Sequence, residues 1–317
     1  MYYKGRTETI ESRGYVIPDA IRNFNVAVEP DIDPKTNHYV GKNYLREVIP
    51  PPNTEKKIGE VLAVNGSRHV VPPLPYRKFA EPLLDGVKLA LGGDDESVQG
   101  TWTFIEGGLK MYADFILREY NFENIVGEPT ALGMRIQNSI DGSLAYGISV
   151  FIVRVFCTNK MQRIAENTSV RKKHTIGADP ERIARVAADW PSQLTTDAHL
   201  FNHMKKQIVS TDTIKTFLEQ YLCLTKTRTQ VKVNQKWLER MMVLWYDYSR
   251  GIGSNAYAFY NVLTHYGTHV DLDSGRGAAV GNRALQQERN VRTLVQGQAF
   301  KNLIDYQGFE QQQKVAA

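Results

Sequence analysis

The sequence predicts an α+β fold in which an antiparallel β-sheet with a β-β-β-β-α core is followed by a helical C-terminal half. Two observations support this prediction. Residues 101–157 contain apolar strand-like segments separated by glycine-containing turns, which is typical of sequential antiparallel strands. From residue 160 onward, apolar residues recur mostly at helical spacing. Because consecutive strands are usually neighbours, the four strands should pair in order.

Length and composition set the expected domain organisation. The chain has 317 residues, of which 42% are hydrophobic and 23% are charged, as in ordinary globular proteins that bury a core. We expect a Pro-rich, partly irregular N-terminal arm at 1–70 and a single α+β domain at 71–310. Within that domain the sheet should occupy 100–160 and the helices 160–305. Residues 311–317 should form a frayed tail.

The expected location is the cytoplasm, without membrane attachment. The longest apolar run, Ile148–Cys157, contains Ser149 and Arg154, so it is too short and too polar to cross a bilayer. The first residues are polar and contain no apolar signal core. Cys157 and Cys223 lie far apart in apolar settings, which favours free thiols in a reducing compartment.

The N-terminal half contains proline runs and two turn signals. Proline runs at 49–53 and 71–75 exclude regular helix or sheet. A helical segment follows at Phe79–Leu91 and ends at Gly92-Gly93. Within Thr101–Tyr120 the alternation around Gly107 and Gly108 predicts a hairpin.

The stretch Met134–Met161 predicts a strand, a tight turn, a long apolar strand and the start of a helix. Asp141-Gly142 suits the positive φ angles of a type I′ turn. Asn159 is the expected N-cap of a helix at Lys160–Glu166. The turn is interpreted either as purely structural or as a polar corner that touches a ligand or a neighbouring subunit.

The C-terminal half should consist mainly of amphipathic helices. Apolar spacing predicts them at Ile183–Trp190 (after an N-cap signal at Asp179-Pro180), Thr211–Leu224, Gln235–Tyr248, Asn255–Tyr266 and within Ala284–Ile304.

A basic segment follows the predicted sheet. Arg163 precedes the run Arg171-Lys172-Lys173-His174, which has serine and threonine hydroxyls nearby. Residues 160–240 contain 15 Lys and Arg against 8 Asp and Glu, a net charge of +7, whereas the whole chain carries +5. Such a segment is either a solvated face or a surface for a polyanion such as nucleic acid.

Two histidine pairs have the i, i+4 spacing of a helical metal face: His199 with His203, and His265 with His269. Neither pair has the glutamate of a zinc-protease motif or a clear third ligand. No nucleotide-binding glycine motif is present. We therefore predict no cofactor, and metal or general-base chemistry remains an alternative.

Several motifs together resemble one family. Asn138-Ser-Ile-Asp-Gly-Ser143, Val153-Arg-Val-Phe-Cys-Thr-Asn159 and Lys173-His-Thr175 resemble, in this order, motifs of the uncharacterised phage/plasmid-like protein family. Ala258–Tyr266 and Gly281–Leu285 resemble its C-terminal signature. The resemblance covers about residues 70–305. It implies a phage or mobile-element origin, hence the host cytoplasm, but no established activity.

Two positions depart from the family pattern. Ile140 stands where a histidine is usual, and Tyr257 stands where a tryptophan is usual. If the histidine were catalytic in the family, this chain would lack it, which weakens an enzymatic interpretation. A sheet followed by helices with a basic face is also similar in topology to single-strand annealing recombinases, an analogy of fold alone.

The leading hypothesis is a non-enzymatic DNA-binding protein of phage replication or recombination that favours single strands, forms a homo-oligomer and works with other phage replication or recombination proteins. Aromatic rings would stack bases and cations would contact phosphates. The nucleic-acid-binding candidates are Arg135, Arg154, Lys160, Arg163, Arg171, Lys172, Lys173, His174, Tyr112 and Tyr146. The alternatives are an oligomeric structural or assembly protein and a metal-dependent nuclease using Asp141, His174 and a histidine pair.

Overall fold

The computed structural model describes residues 7–19, 26–32, 34–36, 39–49, 57–65, 76–91, 97–105, 108–121, 126–154, 160–162, 169–172, 181, 190–226, 230–270 and 282–316. Its strands are β1 (Thr7–Arg13), β2 (Val26–Ile32), β3 (Tyr39–Ile49), β4 (Lys57–Asn65), β5 (Val98–Ile105), β6 (Lys110–Asn121), β7 (Thr130–Ser139), β8 (Tyr146–Arg154), β9 (Lys160–Gln162), β10 (Ser169–Lys172), β11 (Leu224–Lys226) and β12 (Val231–Val233). Its helices are α1 (Tyr76–Leu91), α2 (Trp190–Lys206), α3 (Thr211–Tyr221), α4 (Gln235–Ile252), α5 (Ala256–His269), α6 (Asn282–Gln296), α7 (Gln298–Leu303) and α8 (Tyr306–Ala316).

The chain divides into two compact units. The first unit comprises Met1–Glu119, Gly133–Val150 and Asn167–Pro191. The second unit comprises Tyr120–Leu132, Phe151–Glu166 and Ser192–Ala317.

The main sheet confirms the predicted α+β class, because it precedes a predominantly helical half. Its strand order is β1-β5-β6-β7-β8-β10, and β9 also pairs with β8. The predicted hairpin around Gly107 and Gly108 is the connection between β5 and β6, which pair antiparallel from Val98 opposite Leu117 to Ile105 opposite Lys110. The four predicted strands are therefore β5 to β8.

One face of this sheet in the first unit is apolar and is packed against α1. The ring of Trp102 meets the ring of Phe115 edge to face, with 5.5 Å between their centroids. From α1, the ring of Phe79 packs against Tyr146 at 6.0 Å. Gly100 is needed on this face, because a Cβ there would lie 2.4 Å from Ser12 Oγ and 3.1 Å from the Phe115 ring.

Part of the expected N-terminal arm is regular. β2, β3 and β4 form a separate antiparallel sheet, whose register shifts near Pro30 and Arg46. β1 joins the main sheet by pairing with β5. The proline runs at 49–53 and 71–75 lie largely outside the described residues.

Three of the predicted helices are confirmed, and the structure shows a capping residue before each. Ser210, Asn234 and Asn255 each accept a hydrogen bond at the start of α3, α4 and α5 respectively. The aromatic core of the second unit includes Phe217 and Phe259, whose ring centroids lie 5.2 Å apart. The predicted helix within Ala284–Ile304 is α6 followed by the short α7.

Two local predictions are wrong. Lys160–Gln162 is a strand paired with Phe151–Val153, not a helical turn, because hydrogen bonding to β8 replaces the local helical bonds. The predicted type I′ turn is a longer connection between Ser139 and Tyr146, in which Gly142 alone has a positive φ, of 72°. A type I′ turn would require a positive φ at Asp141 as well.

Further comparisons with the predictions concern the ends of helices and the C-terminal tail. The helix predicted to reach Leu224 ends at Tyr221, and Leu224 begins β11 instead. Residues 311–316, which belong to the predicted tail, lie in α8, where 311–315 are exposed, and their fraying stays a prediction. The predicted helix at Ile183–Trp190 lies outside the described residues except for Trp190, which begins α2.

Candidate nucleic-acid interface

A basic strand is the last strand in the order of the main sheet. β10 pairs antiparallel with β8 in the first unit, so that Arg171 lies opposite Gly147 and Lys172 lies opposite Tyr146. The chain from residue 167 to residue 178 contains no Asp or Glu. Two of the predicted basic residues, Arg171 and Lys172, therefore lie on a strand of the main sheet.

A second basic element, the hairpin of β11 and β12, lies in the second unit and was not singled out by the sequence analysis. Leu224 pairs with Val233, and Lys226 pairs with Val231. Asn234 closes the base of this hairpin, because its backbone N–H donates to Cys223 O at 2.7 Å. The hairpin is thereby fixed to the first turn of α4.

The hairpin and the first turn of α4 contain cations without an acidic residue nearby in the sequence. From residue 220 to residue 238 the chain contains four cations and no Asp or Glu. These cations are Lys226, Arg228, Lys232 and Lys236. Lys232 and Lys236 are exposed, and within the described residues neither forms an ion pair. Exposed cations beside threonine hydroxyls suit contacts to phosphate oxygens. The sequence signal for this element was the presence of three cations and no acid over 226–232.

Arg135 lies in the interior of the first unit. It is 4% exposed and donates from Nε and Nη2 to the two carboxylate oxygens of Asp114, at 2.6 and 2.8 Å. Burial disfavours the charged guanidinium, but the Asp114 carboxylate outweighs this effect and raises the pKa of Arg135. The charge of Arg135 is therefore already engaged within the protein.

The two predicted stacking residues are also engaged. The guanidinium carbon of Arg135 lies 4.4 Å from the ring centroid of Tyr112, and burial raises the pKa of this tyrosine. Tyr146 is only 2% exposed and packs against Phe79. Arg135 therefore covers a face of the Tyr112 ring, and the Tyr146 ring is buried.

For the remaining residues predicted to bind nucleic acid, the structure gives either a position in a strand or no description. Arg154 ends β8, and Lys160 begins β9 opposite Val153. Arg163, Lys173 and His174 lie outside the described residues.

Asp141 and Ser139 form local hydrogen bonds in the connection between β7 and β8. Asp141 Oδ1 accepts from the backbone N and the hydroxyl of Ser143, at 3.0 and 2.6 Å. Ser139 Oγ and Leu144 bond each other across the connection. Ile140 is 5% exposed and donates its N–H to Leu109 O. A buried apolar side chain therefore occupies the position at which the family that these motifs resemble usually has a histidine.

The two histidine pairs differ in geometry. His199 is exposed, whereas His203 is 8% exposed and packs against Phe309. The rings of His265 and His269 lie 5.0 Å apart, and the Tyr248 hydroxyl lies 2.9 Å from His265 Nδ1.

The described residues contain neither a metal-binding cluster nor a membrane-spanning helix. Among the residues that it describes, no three His, Cys, Asp or Glu side chains are grouped so that they could hold a metal ion. No described helix combines the length and the apolar character needed to cross a membrane.

Comparison with known proteins identifies a family. The model of the family described as "Domain of unknown function (DUF932)" matches residues 95–296, which is more than half of the chain. The chain therefore belongs to this uncharacterised family. Neither a curated protein nor a solved structure matches it.

Proposed function

We propose that this DUF932 protein is a non-enzymatic DNA-binding protein of phage or mobile-element replication or recombination. It binds single-stranded DNA through two basic elements that contain no Asp or Glu, the strand β10 and the hairpin of β11 and β12. Strand annealing would follow from that binding. The observation that carries the proposal is that both elements are antiparallel strand pairs, β8 with β10 and β11 with β12. The proposal requires no cofactor.

The contrast with the cations on the helices supports this proposal. Arg77 pairs with Glu81, Lys215 with Glu219, and Arg292 with Glu288, each at i, i+4 spacing. Such pairs neutralise a helical surface and leave little net charge for a polyanion. The stretches 167–178 and 220–238 contain no acidic residue with which their cations could pair locally. Cations without an acidic residue nearby in the sequence suit contacts to phosphates.

The proposed phosphate contacts follow from these two elements. In the first unit they are made by Arg171, Lys172 and Lys173, and in the second unit by Lys226, Arg228 and Lys232. Arg135, Tyr112 and Tyr146 do not belong to the proposed surface, because they are engaged in the interior contacts described above.

The test is equilibrium binding of a fluorescently labelled single strand to the full chain at low salt, measured by anisotropy. Charge reversal of Arg171, Lys172 and Lys173, or of Lys226, Arg228 and Lys232, should weaken binding at least tenfold, because attractive phosphate contacts become repulsive. The matched control reverses three exposed cations outside both elements, Arg250, Arg289 and Lys314.

Three results would contradict the proposal. Absence of binding at low salt excludes it outright. An equal loss in the control variant would place the interaction elsewhere or make it a net-charge effect. Tighter binding of a duplex of the same sequence would contradict the preference for single strands.

Assembly and location form a further part of the proposal. The protein works in the host cytoplasm as a homo-oligomer, together with other replication or recombination proteins. Light scattering with and without single-stranded DNA tests the oligomer directly. A defined oligomer that ignores DNA would instead indicate a structural or assembly protein, and cleavage of plasmid DNA by the metal-loaded protein would indicate a nuclease.

A further inference from the structure

An open groove of about 740 Å³ lies in the second unit between α3 and α7. Its lining includes the aromatic side chains of Phe217 and Tyr221 together with polar side chains from both helices. This volume falls in the range of small-molecule sites, and a mixed aromatic and polar lining is suited to a flat heteroaromatic ligand.

Tyr221 provides an aromatic surface that is both supported and accessible. Its side chain is 49% exposed, and its ring centroid lies 4.9 Å from that of Phe217, which is 6% exposed. Phe217 is held in turn by Phe259 and Phe300, at 5.2 and 6.3 Å. Single-strand binders stack bases on aromatic rings that are held by neighbouring side chains and remain accessible to solvent.

The polar lining supplies groups that can bond the edge of a base. Asn302 Oδ1 accepts from Gln298 Nε2 at 2.6 Å, which leaves the Asn302 amide N–H groups as donors. The amide of Gln220 forms no hydrogen bond within the described residues. Asp212 adds a carboxylate acceptor. Amides and carboxylates recognise base edges through such donors and acceptors.

The groove adjoins the basic hairpin in the chain. Tyr221 is the last residue of α3, β11 begins at Leu224, and α3 contacts β11. Three residues of chain span at most about 11 Å, so phosphates on the hairpin and a base on Tyr221 can belong to one short strand. Charge complementarity therefore favours a nucleic acid as the occupant.

We propose that the groove between α3 and α7 is a nucleobase site, in which Tyr221 stacks an unpaired base of a strand whose phosphates lie on the β11–β12 hairpin. This inference rests on the proposed function and adds that the bases contribute to binding. A purely electrostatic surface would bind any strand of equal charge. A base site distinguishes a normal strand from one without bases.

The experiment compares a labelled oligothymidylate with an abasic strand of the same length, using anisotropy and the full chain. Wild type should bind the oligothymidylate more tightly than the abasic strand. Tyr221→Ala should weaken binding of the oligothymidylate about fivefold or more and leave the abasic affinity unchanged. Tyr221→Phe keeps the ring and should behave like wild type.

Tyr246→Ala is the matched control, because Tyr246 is 51% exposed on α4 and does not line the groove. If a variant keeps the wild-type affinity for the abasic strand, it is folded. If Tyr221→Ala does not fold, Asn302→Ala supplies the same comparison from an exposed position. If Tyr221→Ala changes the affinities for the two strands equally, or changes neither, the base site is overturned but the proposed function is not. Absence of wild-type binding to either strand would overturn both this inference and the proposed function.

Discussion

Arg135 and Asp114 form a two-bond ion pair on neighbouring strands β7 and β6, and both residues are at least 94% buried. The pair occupies the face of the sheet opposite the aromatic residues that pack against α1. Because charge is costly to bury alone, each partner stabilises the folded state mainly by neutralising the other. The pair is therefore part of the scaffold of the first unit.

Removal of one partner should be strongly destabilising. Asp114→Ala leaves the Arg135 guanidinium buried without its carboxylate, and we expect the free energy of unfolding to fall by about 3–5 kcal/mol. Urea unfolding followed by circular dichroism measures this change. The double variant Asp114→Leu with Arg135→Met is the control, since it removes both charges and should recover most of the loss. A loss below about 1 kcal/mol in Asp114→Ala would contradict the buried pair.

Tyr257 stabilises the second unit through its hydroxyl. This hydroxyl donates to Glu128 Oε1, and Lys205 Nζ lies 4.9 Å from the centre of the same ring. Tyr257→Phe should therefore lower the free energy of unfolding by about 1.5–3 kcal/mol, because a bond to a charged acceptor is lost. Tyr246→Phe, at an exposed position, should change it little. Equal stability of Tyr257→Phe and wild type would contradict this role.

His265 should titrate well below its ordinary range. Burial, and secondarily the positive charge of His269, lower its pKa from 6.5 to about 4. The unfolded state therefore binds more protons between these values, so this contribution to stability is complete above pH 6.5 and is lost as the pH falls toward 4. Histidine NMR signals over this range measure the titration directly.

The variant His269→Ala separates the two causes of this shift. Since burial is the larger cause, the pKa of His265 should move only part of the way back toward its ordinary value. A pKa near 6.5 for His265 in the wild-type protein would contradict the packing of α5 described above.

The sequence predicted those helices and strands that are determined by residues close to one another in the chain. The stripe of Leu238, Met241 and Trp245 predicted α4, and these residues are buried in the structure. The segment Asn255–Tyr266 predicted α5, whose start is fixed locally because the Asn255 side chain accepts from the backbone three residues later. Alternation around the β5–β6 turn likewise predicted a hairpin whose strands are consecutive in sequence.

The incorrect and missed features depend on partners distant in sequence or on very short elements. Lys160–Gln162 has no periodicity of its own and forms a strand because Phe151–Val153 pairs with it. β11 and β12 have three residues each, too few for an alternation pattern to stand out. The engagement of Arg135 depended on Asp114, which lies 21 residues earlier in the chain and meets it only after the strands align.

The most direct test of DNA binding by the basic hairpin is the salt dependence of affinity for a single strand. Each phosphate contact on a single strand contributes about −0.7 to the slope of log K against log salt concentration. Wild type should show a steep negative slope, and reversal of Lys226, Arg228 and Lys232 should make it shallower by about 2. A wild-type affinity that does not change with salt, or an unchanged slope in this variant, would contradict the account.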